Sequence, residues 1–555
     1  MIEGSMAENT HPHTFTLLAP HQKQAFIQLD IFDWEKKPMK KNERGEFYFN
    51  TELPDGEYRY RFHVPSTSWF YEENTWVDIV DPLATQVDEE NHAAVLRFQN
   101  GFPVHSHHAW QHDHVDQRPV QEWVLYELHP GIFGAHFVEE AGETAYRRGT
   151  FLDLIDKIDY LKKLGITAVQ LMPIQEFPGK DSMGYNPAYF LAPESAYGLP
   201  EHLMQFIDTL HGQRMSCIGD FVFNHASDQS PLAQMDHDYW FHREPKDEKQ
   251  SWGPEFNYHY FDECHQRHPA WEHALHTVRH WLFNYHLDGL RYDAVKQINH
   301  RDFLDWLTQQ TQENAGPKHF FNIAECIPDE PSMVAGEGPM DACWHDGFCH
   351  DIRQLLSGQD IDSEQVKNAL DGTRKGYETP LQIVNYLSNH DQPRLQPYFM
   401  DLGLSAEEAV HRHQLGVALL CFAVGIPMIR MGEEMAWHME GDETRGVLPW
   451  SDLEDETVNA LWQSYRFWIH ERHQHADLQQ GQMRFFESAA GWICGRFAED
   501  AASLLLFNPS DIDIEIVLDF SGELAGEWQE SSQGNITEGH FQLRPWSYVY
   551  LRRQR

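Results

Sequence analysis

Three carboxylates and two histidines in this 555-residue chain stand where proton and covalent chemistry could be done. Asp293 closes the apolar run Gly289-Leu290-Arg291-Tyr292-Asp293, with an arginine two residues before it. Alternation along a strand puts Arg291 and Asp293 on one face, and a guanidinium there keeps the carboxylate ionised, as a nucleophile requires. A structural ion pair would leave the same R-x-D pattern, so this stretch alone does not decide. Glu325 ends the apolar run His319-Phe320-Phe321-Asn322-Ile323-Ala324, and Asp391 closes Ser388-Asn389-His390. His225 follows Asp220-Phe221-Val222-Phe223-Asn224. Glycoside hydrolysis needs one ionised nucleophilic carboxylate and one protonated carboxylic acid, and these residue types fit it.

Such groups act together only if the fold brings strand ends to one place. From Gln121 to about 474, strand-like and helix-like segments alternate. The expected strands are Trp123–Leu128, Ala168–Met172, Cys217–Phe223, the run ending at Asp293, His319–Glu325, Ala342–Asp346, Leu381–Leu387 and Ile426–Met431. The sixth is the faintest. Helical spacing marks Phe151–Leu164, Pro200–His211, Trp271–Tyr285, Phe303–Gln310, Ala406–Phe422 and Glu456–Glu471. Eight β then α units predict an α/β fold, a (β/α)8 TIM barrel, rather than a doubly wound sheet. Its active site lies at the C-terminal strand ends, where Asp220, Asn224, His225, Arg291, Asp293, Glu325, His390 and Asp391 all fall. No G-x-G-x-x-G or P-loop follows a strand, so nucleotide chemistry finds no support.

The barrel is flanked by β-rich segments. Residues 1–105 show short alternating strands, such as Glu57–Val64 after a Pro54-Asp55-Gly56 turn, and predict a β-sandwich. Residues 106–121 are a linker, 122–474 the barrel with an insertion at 226–270, and 475–555 a C-terminal antiparallel β domain. Val104 to His114 carries five histidines, which suits either a metal site or a polar interdomain loop; no partner spacing supports the metal. Lys and Arg number 42 against 86 Asp and Glu, a net charge of 42 − 86 = −44. That repels nucleic acid and anionic membranes but not a neutral polymer. Seven scattered cysteines without C-x-x-C, no membrane-length apolar run and no signal-like core predict a reduced cytoplasmic protein. Met1–Ser5 reads as an extension before Met6.

Four short segments, in order and on the expected strands, resemble the signature regions of the α-amylase family of retaining glycoside hydrolases (glycoside hydrolase family 13). They are Asp220–His225, Gly289–Val295, Ile323–Glu325 and Tyr386–Asp391. Gly184-Tyr185-Asn186-Pro187 resembles the family's substrate-loop tyrosine segment. The N-terminal module, leaving through Asp81-Pro82-Leu83-Ala84, resembles the starch-binding-type sandwich of branching, debranching and trehalose-releasing members.

The resemblance implies that Asp293 attacks the anomeric carbon and that Glu325 protonates the leaving oxygen and later activates water. It implies that Asp391, His225 and His390 bind sugar hydroxyls, that Tyr185 stacks on the sugar face, and that Arg291 keeps Asp293 ionised. Asp220 and Asn224 would brace the loop above the third strand. It implies an α-glucan or maltooligosaccharide substrate and no required cofactor. It also admits calcium near the insertion, where Asp228, Asp236 and Asp238 lie. Tyr126–Gly131 and Met172–Gly179 resemble branching and maltooligosyl-trehalose-hydrolysing members. Lys296 instead matches α-amylases that contact leaving-group glucoses, whereas Gln297 replaces their histidine. The expected activity is α-1,4-glucan hydrolysis; branching, trehalose release and an inactive glucan-binding protein are the alternatives.

Overall fold

The computed structural model describes residues 10–140, 143–439, 441–499, 501–530, 534–535 and 539–553; Met1–Ser5 lies outside them. Eight parallel strands close into a barrel. They are β1 Leu125–Leu128, β2 Ala168–Leu171, β3 Ser216–Phe221, β4 Gly289–Tyr292, β5 Phe321–Ala324, β6 Ala342–Trp344, β7 Ile383–Tyr386 and β8 Ile426–Arg430. β8 returns to β1 through Leu125↔Met428, Tyr126↔Ile429 and Glu127↔Arg430. Every residue of the eight is buried, because helices cover the outside and side chains fill the centre. That is why the strands read as continuous apolar runs. β6 has only three residues, which explains its faint signal.

The expected helix Phe151–Leu164 is two helices, Phe151–Ile155 and Ile158–Leu164. At the break Lys157 N–H bonds the Leu154 carbonyl three residues back (3.0 Å), a tightened turn. Phe151, Leu154, Ile158, Leu161 and Leu164 stay buried across it, so packing outweighs a straight axis. Other helices run longer than expected: Pro269–Asn284 begins on an N1 proline, and Arg301–Ala315 starts two residues earlier and gains more than a turn at its C-terminal end.

The N-terminal segment folds as two antiparallel sheets. One pairs Thr10–Leu18 with Glu46–Pro54; the other is built on Phe26–Leu29, Gly56–Pro65 and Ala93–Gln99. Phe15, Leu17, Ile27, Phe47, Phe62 and Val64 form the core between them, and it runs on into Ala188, Ala192 and Met235 of the barrel excursions. The helix Pro231–Trp240 is broken at Asp236 (φ −157°, ψ 78°), which frees carbonyls for outside donors. The N-terminal module supplies them. Ser68 Oγ donates to Ala233 O (2.5 Å), Ser66 Oγ to Gln234 O (2.6 Å) and Thr67 N–H to Met235 O (3.0 Å).

The histidine-rich linker is held by one buried carboxylate. Asp208 accepts the Gln111 and His112 N–H groups (both 2.9 Å) and contacts His108 Nε2 (3.1 Å) and His112 Nδ1 (3.2 Å). The residues from Gln482 onward form a six-stranded antiparallel sheet with a two-stranded companion. All seven cysteines are free, and only Cys264 is exposed. Among the described residues no helix is long and apolar enough to cross a membrane.

Candidate active site

Parallel register sets the site's centre. Asp220 on β3 is the neighbour of Arg291 on β4, and Arg291 is the neighbour of Ile323 on β5. Asp293 and Glu325 each lie just past their strands. Asp293 N–H bonds Phe221 O and Glu325 N–H bonds Tyr292 O, both at 3.0 Å, so the ladder continues and fixes their height. Arg291 is wholly buried beneath them. Its Nη1 donates to Asp220 Oδ1 (2.6 Å) and Asp293 Oδ1 (2.9 Å), and its Nη2 is 2.7 Å from Glu325 Oε2 in an ion pair without hydrogen-bond alignment. The guanidinium carbon sits 4.2 Å from the ring centroid of Trp344 on β6.

One cation therefore serves three carboxylates. Burial pushes the Asp293 carboxyl well above the usual range; Arg291 pulls it down, while Glu325 and Asp220 push it further up. Arg291 acts on Asp293 in the expected direction, toward the ionised form, but its charge is divided three ways. Burial also raises Asp220, to about 6, against Arg291. The Ala294 N–H donates to Glu325 Oε2 (2.7 Å) from a left-handed backbone position (φ 43°), a turn that aims this amide back at β5.

A second group adjoins the first. Tyr185 OH donates to Asp220 Oδ2 (2.6 Å) and lies 3.1 Å from His390 Nδ1. The Tyr185 and His390 rings stack at 4.4 Å and 17°. His390 Nδ1 is 2.9 Å from Glu127 Oε1 and Nε2 is 3.3 Å from Asp391 Oδ2. Burial alone would raise Asp391, but His390, Arg291 and Arg430 outweigh it and hold the carboxyl below its ordinary value. His225 is buried with Nε2 on the Tyr185 carbonyl (2.9 Å), and burial lowers it to about 4, so it is neutral.

Asp293, Glu325, Asp391, Arg291, His390, Tyr185 and His225 thus lie in one connected cluster with Asp220. Lys296 does not join it. Its ammonium caps the Pro328 carbonyl and stands 3.8 Å from Glu330, tying the loop after β4 to the loop after β5. Gln297 bonds Gln250 of the excursion (2.9 Å). Glu127 and Trp344 were not anticipated. A lone carboxylate inside Leu125-Tyr126-Glu127-Leu128 was the available signal.

Two of the three aspartates named for calcium are paired with basic side chains. Asp236 pairs with His21 (2.8 Å), and Asp238 with Arg243 and His237. Among the described residues no group of three or more His, Cys, Asp or Glu has a metal-holding arrangement.

Comparison with known proteins gives three kinds of similarity. Residues 131–275 match the family model described as alpha amylase, catalytic domain. The chain is 26% identical over 453 residues to malto-oligosyltrehalose trehalohydrolase of Saccharolobus solfataricus, covering 76% of this chain and 73% of that protein. It is 28% identical over 339 residues to the 1,4-alpha-glucan branching enzyme of Nitrosomonas eutropha, covering 58% of this chain and 43% of that one. The matched stretch therefore spans less than half of the branching enzyme. Among solved structures, type I pullulanase of Bacillus subtilis superposes with a TM-score of 0.81 at 19% identity, over 98% of this chain and 84% of that one; this is a likeness of fold.

Proposed function

The chain belongs to the α-amylase family, and we propose that it is a retaining glycoside hydrolase that cleaves α-1,4-glucosidic bonds of starch, glycogen or maltooligosaccharides. The observation that carries this is the meeting of Asp293 and Glu325 on the two terminal nitrogens of Arg291. Retention calls for carboxyls roughly 5–5.5 Å apart, close enough to share one guanidinium. In the proposed reaction Asp293 attacks the anomeric carbon as Glu325 protonates the departing oxygen. A covalent glycosyl-enzyme forms, and Glu325 then takes a proton from the water that releases it. Glu325 Oε2 is committed to Ala294 N–H and Arg291, so Oε1 is the oxygen that hands over the proton. His390, Asp391 and Tyr185 hold the sugar beside the bond to be cut. Two carboxyls and water suffice, so the reaction calls for no cofactor.

The N-terminal sandwich is proposed as a carbohydrate-binding module; Trp69 and Phe70, 54% and 44% exposed, offer it flat stacking faces. The proposed compartment is the cytoplasm, supported by seven cysteines free of disulfides.

A second reading is trehalose release from maltooligosyl-trehalose, favoured by the similarity to the trehalohydrolase along 76% of the chain. The test is product analysis on starch, maltoheptaose and maltooligosyl-trehalose. New reducing ends from starch and maltoheptaose are expected. Free trehalose as the sole product would replace the first reading with the second, and new α-1,6 branches would overturn both.

A further inference from the structure

Glu127 sits within β1, 1% exposed, and the scheme above gives it no part. Its Oε1 is 2.9 Å from His390 Nδ1, while its buried Oε2 has no partner among the described residues. A carboxylate left half unpaired in a barrel interior is costly unless its other oxygen meets a charge. Among the described residues, the basic group bonded to it is His390. We propose that Glu127 is a positioning residue for catalysis: its charge holds His390 as a two-donor imidazolium, which in turn aims and keeps ionised the substrate-facing Asp391. This inference rests on the α-glucan hydrolase reading.

The geometry makes the protonation state matter. With Nδ1–H committed to Glu127, a neutral His390 would turn a bare Nε2 lone pair toward Asp391 Oδ2 at 3.3 Å, acceptor against acceptor. Protonated, the same ring donates on both sides. The charged groups around it are Glu127 on β1, Asp220 on β3, Arg291 on β4, Asp293 just past β4, and Asp391 beside it; Tyr185 stacks on one face, and Trp344 on β6 is 6.0 Å away. Burial works against the cation, but Glu127 and Asp391 overrule it and raise His390 to about 10. Glu127 is the more consequential of the two, because Asp391 is exposed to solvent and must also serve the sugar.

Glu127→Gln keeps the shape and removes the charge. At pH 8 the turnover of maltoheptaose is expected to fall about tenfold to a hundredfold, the scale of losing a charge-assisted hydrogen bond, with KM changing much less. The midpoint at which His390 loses its proton should move from about 10 in the native chain into the neutral range in the variant. NMR of histidine labelled at Cε1, with the His390 signal identified by its loss in His390→Asn, reads the same equilibrium without substrate. In the native chain that signal should stay protonated through pH 8; titration below pH 8 overturns the inference, even if the Gln variant does not fold. An unchanged His390 titration in a folded Glu127→Gln protein also overturns it. Should Asp293→Asn retain activity, the hydrolase reading fails by itself, and the NMR titration still decides the Glu127–His390 pairing.

Discussion

Two of the buried carboxyl pairs in this protein are wired in opposite ways. Asp293 and Glu325 meet at the barrel mouth around one shared guanidinium, with a single backbone amide on Glu325. Glu176 and Glu194 lie beside each other in the excursion after β2. There Ser195 N–H and Oγ reach Glu176 at 2.6 and 3.1 Å, and the Phe177 and Ala196 amides reach Glu194 at 3.1 and 2.9 Å. Burial raises Glu194 to about 8 and Glu176 well above its ordinary value, as it raises Asp293. A shifted carboxyl is therefore no mark of chemistry by itself. What separates the pairs is the state of their oxygens: every oxygen of the second pair is spoken for by a nearby donor, whereas the first keeps oxygens free for a substrate.

The sharpest way to break this contrast is to neutralise one member of each pair. Asp293→Asn should lose about 10⁴-fold or more in kcat with the fold intact, whereas Glu194→Gln should keep activity within a few-fold. Comparable losses in both would erase the distinction. Next in size is Arg291→Met, which strands three carboxylates. It should cost about 3–5 kcal/mol in urea unfolding, as removal of one partner of a buried ion pair does, and at least a hundredfold in kcat if the shared cation aligns both acids.

A smaller effect tests the second pair's structural role. Glu194→Gln turns an amide NH₂ toward a backbone N–H and should cost about 1–3 kcal/mol at pH 5. The smallest is a slope. Glu194 holds its proton more tightly folded than unfolded, from 4.5 to about 8, so its contribution is full below pH 4.5 and fades as pH rises through 8. His273 and His280 act in the opposite sense. Burial lowers both to about 3, so their neutral forms favour the fold near neutrality and that contribution is lost as pH falls from 6.5 toward 3. Urea midpoints at pH 5, 6.5 and 8 should fall less steeply toward pH 8 in the Gln variant than in the native chain.

The barrel and the carboxylates at its strand ends were legible because burial on both faces writes itself as apolar runs punctuated by a polar residue at the rim. Asp293, Glu325 and Asp391 stand out for that reason. Local signals are silent where long-range contacts decide. Nothing near Lys296 shows that its ammonium will cap the Pro328 carbonyl from the next strand's loop. Tyr185 reads as a free stacking surface, yet one ring face is taken by His390, 205 residues away. Glu127 was hidden for a similar reason: the strand that carries it gives no hint of a histidine partner 263 positions on. The break between Ile155 and Ile158 also escaped, because both halves keep the same apolar spacing.

The helix broken at Asp236 and capped by Ser66, Thr67 and Ser68 bears on how this chain can be cut or recombined. A version trimmed to start at residue 106 would leave three backbone carbonyls of the excursion without donors and bare the apolar surface of Met235, Ala188 and Ala192. The N-terminal sandwich is thus an unsuitable part to exchange between proteins as an independent cassette. Its Ser-Thr-Ser loop would have to travel together with residues 231–240, as one graft.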